Sequence, residues 1–240
     1  MKVGVIGDIH GRMEWKEIVL NKDIDLWIFI GDYFDTRDGG YSGNRQIENF
    51  KDILEFKKSN PTSVIMLTGN HDFHYIKRMY EEYSGYQRKY ASTISYLVET
   101  AIADGYMQMC YLHDNFFFSH AGLTKTWCGL ILGNYNPTID DKLVNVINDY
   151  LIVSPQVFKF NAGENIDQSG DDITQGPIWV RPASLMKDMV DGVTCVVGHT
   201  PVRFIDVNPN FPNLIMIDCL QFTSEYLIIN NGKAITENIH

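Results

Sequence analysis

The 240-residue sequence predicts an α/β fold in which a parallel β-sheet packs against a second sheet. Two observations carry that expectation. Over the first seventy or so residues, short apolar runs alternate with runs of helical spacing, which is the βαβαβ pattern of a parallel sheet. Near the end, apolar runs at 214–217 and 225–229 lie so close together that antiparallel pairing in a second sheet is expected.

The elements follow in order. Residues 2–6 form a first strand that stops at Gly7-Asp8-Ile9-His10-Gly11. Trp15, Ile18 and Val19 then share one face of a short helix over 12–21. The second strand, 26–30, ends in Gly31-Asp32-Tyr33-Phe34-Asp35, and a Gly- and Asp-rich loop covers 36–43. Ile47, Phe50, Ile53 and Leu54 mark an amphipathic helix. Val64 to Leu67, bounded by Pro61 and Gly69, is a buried strand that opens into Gly69-Asn70-His71-Asp72. Residues 75–110 are polar and Tyr-rich and read as a helical cap, with the tyrosines between Tyr75 and Tyr96 as its core face. A fourth strand at 115–119 ends in Ser119-His120-Ala121-Gly122. Residues 133–177 hold most of the Gly, Asn, Asp and Pro punctuation and read as a loop-rich insertion with a helix near 138–151. A fifth strand, 194–197, ends in Gly198-His199-Thr200-Pro201, and an Asn230-Asn231-Gly232 turn follows the last run. No repeat or low-complexity linker divides residues 1–240, so one domain is expected.

Composition narrows the function. A net charge of -10 disfavours a long nucleic-acid partner, which needs a basic face, but not chemistry on a phosphate held by metal ions. Cys110, Cys128, Cys195 and Cys219 are widely spaced, without a C-x-x-C pair, and read as reduced core thiols of a cytoplasmic protein. No secretory leader is expected, and no apolar run reaches the ~18–20 residues that a membrane span requires.

Five strand ends carry Asp8 and His10, Asp32 and Asp35, Asn70 and His71, His120, and His199. Parallel neighbouring strands would bring all of them to one sheet edge, where α/β folds place their chemistry. Carboxylates, imidazoles and an amide without thiolate suit a divalent metal such as Mn, Fe or Zn. There are more ligands than one tetrahedral ion needs, which points to two ions, held ~3.5–4 Å apart by a shared carboxylate.

The ordered motifs G-D-I-H-G, G-D-Y-F-D, G-N-H-D, S-H-A-G and G-H-T-P, spanning residues 7–201, resemble those of the calcineurin-like metallophosphoesterases, and most nearly the phosphoprotein-phosphatase branch with its bacterial and phage members. The resemblance implies an αββα sandwich of two packed mixed sheets flanked by helices. It implies that Asp8, His10 and Asp32 hold one metal, and that Asp32, Asn70, His120 and His199 hold the second. A hydroxide between the ions would attack phosphorus, His71 would protonate the leaving oxygen, and Asp35 would orient His71.

Two departures matter. The branch usually continues from the second Asp straight into Arg-Gly, whereas here Thr36 intervenes before Arg37. Gly176-Pro177-Ile178-Trp179-Val180-Arg181 is similar to a Trp-x-Arg element of bacterial members, so Arg181 is the expected phosphate clamp and Arg37 the other candidate. Where relatives often carry Asp-Thr-Gly, this chain has Asp218-Cys219-Leu220, a bulkier wall.

The expected activity is hydrolysis of phosphate monoesters, with a phosphoprotein, nucleotide or small phosphoester as substrate and phosphoserine or phosphothreonine protein as one option. A phosphodiesterase or dinucleoside-polyphosphate hydrolase is the alternative, and a non-catalytic protein-binding scaffold a third. A scaffold would have no need of His71 or of a complete ligand set. Asp72 is expected to make structural hydrogen bonds, the Asp171-Asp172 pair to be a solvated loop, and His113 and His240 to lie at the surface. His74 reads either as a partner of the acid or as a loop residue.

Overall fold

The computed structural model describes residues 1–21, 23–36, 39–207 and 210–239. The strands are β1 (Lys2–Ile6), β2 (Leu26–Phe29), β3 (Val64–Leu67), β4 (Met107–Gln108), β5 (Cys110–His113), β6 (Phe116–Ser119), β7 (Thr194–Val197), β8 (Asp206–Val207), β9 (Leu214–Met216), β10 (Glu225–Asn230) and β11 (Lys233–Asn238). They form a six-stranded sheet, β11-β10-β1-β2-β3-β4, and a five-stranded sheet, β5-β6-β7-β9-β8. The strands β1 to β3 run parallel, as the alternation predicted; β4, in the stretch expected to be helical, adds parallel to β3, and β10 and β11 add antiparallel.

Side-chain alternation explains why the two sheets stack. Val3, Val5, Leu26, Ile28 and Ile30 of one sheet join Phe116, Phe118, Val196 and Ile215 of the other in a single buried cluster. The intervening residues Trp27, Phe29 and Phe117 point the opposite way and pack with helical residues. A strand puts successive side chains on opposite faces, so runs that are apolar at every position must be covered on both. The helix Gly43–Ser59 supplies part of that cover. Ile47, Phe50, Ile53 and Leu54 are all buried on its inner face, and burying a side chain such as Phe50 contributes about 1.5–3 kcal/mol. Ser42 caps its start by accepting from the Arg45 amide.

Several expectations are corrected. The late strands do not pair with each other: β9 joins β7 in parallel in the smaller sheet, while β10 crosses to β1 in the larger. The Asn231-Gly232 turn, with φ of 50° and 73°, instead folds β10 onto β11. Two residues of left-handed backbone match the twist of a hairpin, so this local pairing wins. The five motif strands likewise divide, with β1, β2 and β3 in one sheet and β6 and β7 in the other. Between Tyr75 and Tyr96 the backbone is mostly irregular before the helix Ala91–Ala103, so those tyrosines do not line one helical face. In the 133–177 stretch the helix is Asp141–Val153, capped by the Asp140 side chain. Among the described residues no helix is long and apolar enough to cross a membrane, and all four cysteines are buried free thiols.

Candidate active site

The floor of the site is made where β1, β2, β3, β6 and β7 stop. Asp8, Asp32 and His120 are completely buried or nearly so, as are His10, Asn70 and His199. The chain reverses sharply there, and His10, Asp32, Asp35 and His199 take φ values of 42°, 52°, 61° and 63°. Left-handed backbone is strained for non-glycine residues and clusters where geometry serves a site. The loops are tied together by the His10 amide, which donates to the Asp32 carbonyl at 2.7 Å. Two motif glycines have a steric reason. A Cβ on Gly69 would collide with the Asp32 carboxylate, and one on Gly198 with that of Asp8.

The imidazoles are oriented as metal ligands are. His10 Nδ1 sits 2.7 Å from the Phe34 carbonyl and His120 Nδ1 3.2 Å from that of Ile30. A carbonyl accepts, so each Nδ1 carries a proton and the Nε2 lone pair turns inward. His10 Nε2 then faces Asp32 Oδ2 at 3.5 Å and Asp8 Oδ2 at 3.8 Å. His120 Nε2 faces Asn70 Oδ1 at 2.9 Å and Asp32 Oδ2 at 3.3 Å. His199 Nδ1 lies 3.0 Å from the same Asn70 oxygen. Lone pairs aimed at oxygens repel unless a cation lies among them, and this oxygen and imidazole set fits a divalent metal. The donor atoms of Asp8, Asp32 and His120 all fall within 4.8 Å of one another, as do those of Asp35, His71 and His74.

The buried groups also shift one another's charge. Burial favours a neutral Asp32, but the His120, His71 and His10 imidazoles outweigh it and hold the carboxyl well below its usual range. Burial also works against a charged His120, yet Asp32 and Asp8 raise it. His199 is pushed well down by burial and then by His120 and Arg181.

The wall rises on one side of this floor around a cleft of about 520 Å³ lined by His71, Asp35, Arg181, Trp179 and Tyr83 among others. His71 Nδ1 is 3.1 Å from Asp35 Oδ2, and its side chain keeps 14% exposure where Asp35 keeps none. Asp35 Oδ1 accepts from Tyr75 Oη at 2.6 Å and from Gln87 Nε2 at 2.9 Å. Burial opposes its charge, but the bonds from His71 and His74 win and lower its carboxyl from the usual value. Arg181 reaches the cleft with Nε donating to the Ser169 carbonyl at 3.1 Å and Nη1 to Thr200 Oγ1 at 3.4 Å. Arg37 and His240 lie outside the described residues.

Asp72 does what was expected of it: its oxygens accept from the amides of Asp32, Tyr33 and Gly69, each at 2.8 Å. Asp171 and Asp172 do not form a solvated loop, because both are buried. Asp171 accepts from the amides of Arg181 and Ser184 at 2.8 Å each, which seats the Arg181 backbone. Tyr75, Gln87 and Gln46 were missed; Gln46 accepts from the Asp35 amide at 2.7 Å. No local pattern around these residues marks them, since their partners are distant in sequence.

The family model for calcineurin-like phosphoesterases matches residues 1–203. The chain belongs to this family. A probable serine/threonine-protein phosphatase of Encephalitozoon cuniculi is 31% identical over 130 residues, which cover 52% of this chain and 27% of that protein. The serine/threonine-protein phosphatase 4 catalytic subunit of Candida glabrata is 27% identical over 126 residues, covering 51% of this chain and 39% of that one. The matches thus span well under half the length of these curated relatives. Among solved structures, the cold-active protein-tyrosine phosphatase of a psychrophilic Shewanella species aligns with 99% of this chain and 77% of its own at TM-score 0.62 and 18% identity. A metallophosphoesterase of Sphaerobacter thermophilus aligns with 100% and 89% at TM-score 0.51 and 14% identity. At such identities the likeness is one of fold, and it bears out the two packed mixed sheets with flanking helices.

Proposed function

We propose that this chain is a metal-dependent phosphoesterase that hydrolyses phosphate monoesters. The observation that carries the reading is the meeting, at one cleft, of an inward-facing ligand set, a partly exposed imidazole backed by a buried carboxylate, and an arginine.

Asp8, His10 and Asp32 would hold one divalent ion, and Asp32, Asn70, His120 and His199 a second, with Asp32 shared. Two such ions supply a water-derived nucleophile at neutral pH and offset charge on phosphate oxygens. The remaining work belongs to side chains. His71 gives a proton to the departing oxygen, because an alkoxide leaves poorly unprotonated. Asp35 fixes the ring and stabilises its charged form. Arg181 binds phosphate oxygens through its forked donors. Phosphoserine or phosphothreonine protein is the first substrate class to test and manganese the first metal, in the cytoplasmic setting that reduced thiols suit.

The test uses metal-stripped protein with Mn²⁺ restored, assayed in parallel on p-nitrophenyl phosphate, its bis-ester and a dinucleoside tetraphosphate. Metal-dependent turnover favouring the monoester is the expected result. A preference for the bis-ester or tetraphosphate moves the assignment to a diesterase or nucleotide hydrolase, and metal binding without turnover on any of them favours a scaffold.

A further inference from the structure

We infer that His74 is a positioning residue for proton delivery: it holds the Asp35 carboxylate in the orientation that presents Oδ2 to His71. The inference rests on the role proposed above for His71.

His74 follows the short helix Asn70–Phe73, three residues past His71. Its side chain is fully buried, and Nε2 lies 2.6 Å from Asp35 Oδ2, the oxygen that His71 Nδ1 meets at 3.1 Å. The Tyr83 amide donates to His74 Nδ1 at 3.2 Å. A ring nitrogen that accepts carries no proton, so the neutral ring is protonated at Nε2, the nitrogen that lies beside Asp35. The same reasoning removes a third metal from the Asp35–His71–His74 cluster, since a metal there needs a lone pair and neither nitrogen of His74 offers one.

Aromatic side chains pack around the ring. Tyr83 stacks on it with centroids 5.8 Å apart and planes 10° from parallel, while Tyr75 and Tyr86 meet it edge-on at 4.5 and 5.0 Å. A carboxylate on a terminal torsion has a broad, two-fold preference and does not by itself choose which oxygen faces a partner. Here Tyr75 and Gln87 secure Oδ1, and at Oδ2 the close polar neighbour beside His71 is His74. A residue that merely filled this space would need shape alone; the 2.6 Å contact to a buried carboxylate is what a filler lacks.

Two variants separate the possibilities: His74→Phe keeps a ring and removes the donor, whereas His74→Gln carries an amide N–H near the place of Nε2. On phosphoserine, whose leaving oxygen needs a proton, His74→Phe should lower kcat about 10–100-fold, the scale of a misplaced reacting group. On p-nitrophenyl phosphate the loss should be under about threefold, and His74→Gln should restore most of the phosphoserine rate. Equal losses on the two substrates, or a Gln variant no better than Phe, overturn the inference. A readout free of turnover is the ¹⁵N spectrum of the His74 ring in wild-type protein. It should report protonation at Nε2, and a ring protonated at Nδ1 overturns the inference even if neither variant folds. Wild-type protein inert on both substrates would count against the phosphoesterase reading, while the ring spectrum would still decide His74.

Discussion

Asp8, Asp32, His120 and His199 stand just past the ends of buried strands, whereas the wall is assembled by hydrogen bonds that reach Asp35 from residues 11 to 52 positions away and Arg181 from residues 10 to 19 away. The floor is positioned by sheet geometry: the strand ends are locked by the ladder, and the left-handed turns and close-packed glycines leave the side chains little freedom. The wall is positioned by side-chain hydrogen bonds, each worth a modest net amount and replaceable one at a time. The floor should therefore fail all at once and the wall by degrees.

The largest effect is expected from Asp32→Asn. It should strip metal from both positions and cost more than the ~10–100-fold typical of losing an outer partner in a metal site. Elemental analysis of the purified variant checks this, and full metal occupancy would break the contrast. Next comes His71→Asn, which should keep metal yet lose ~10²–10⁴-fold on an alkyl phosphate, with far less loss on p-nitrophenyl phosphate. Arg181→Ala should follow, with a raised KM and a lowered kcat amounting to about 10–100-fold in kcat/KM; unchanged kinetics would move the clamp to another residue. The smallest change in turnover is expected from Asp72→Asn, which supports the floor without facing the cleft. Placing an amide among three donated N–H groups should orphan at least one of them, at about 1–3 kcal/mol. In a chain of this size each kcal/mol lowers Tm by ~2–4 °C, which calorimetry of the metal-loaded protein would detect.

The same contrast explains what could be read in advance. Asp8, His10, Asp32, Asn70, His120 and His199 were legible because each stands a fixed few residues after an apolar strand, so sequence position alone implied spatial convergence. The inner face of Gly43–Ser59 was legible for a similar reason, since helical period is a local property. His74 could be read from its position as a partner of the acid or as a loop residue, but not as a neighbour of Asp35, and Tyr75, Gln87 and Gln46 carried no signal, because hydrogen bonds between distant side chains leave no periodic trace. Asp171 looked like loop polarity and is instead a buried anchor for Arg181.

By itself, then, the sequence determined the parallel run β1 to β3, the order of the motif residues and the chemical type of the candidate ligand set, all of which depend on local patterning of apolar and polar positions. Only the tertiary structure decided that β9 and β10 belong to different sheets, that the candidate ligands meet from two sheets and not one, and that a second imidazole backs Asp35. Those outcomes turn on which surfaces bury one another, and a pattern of period two states that a strand has two faces to cover without saying what covers them.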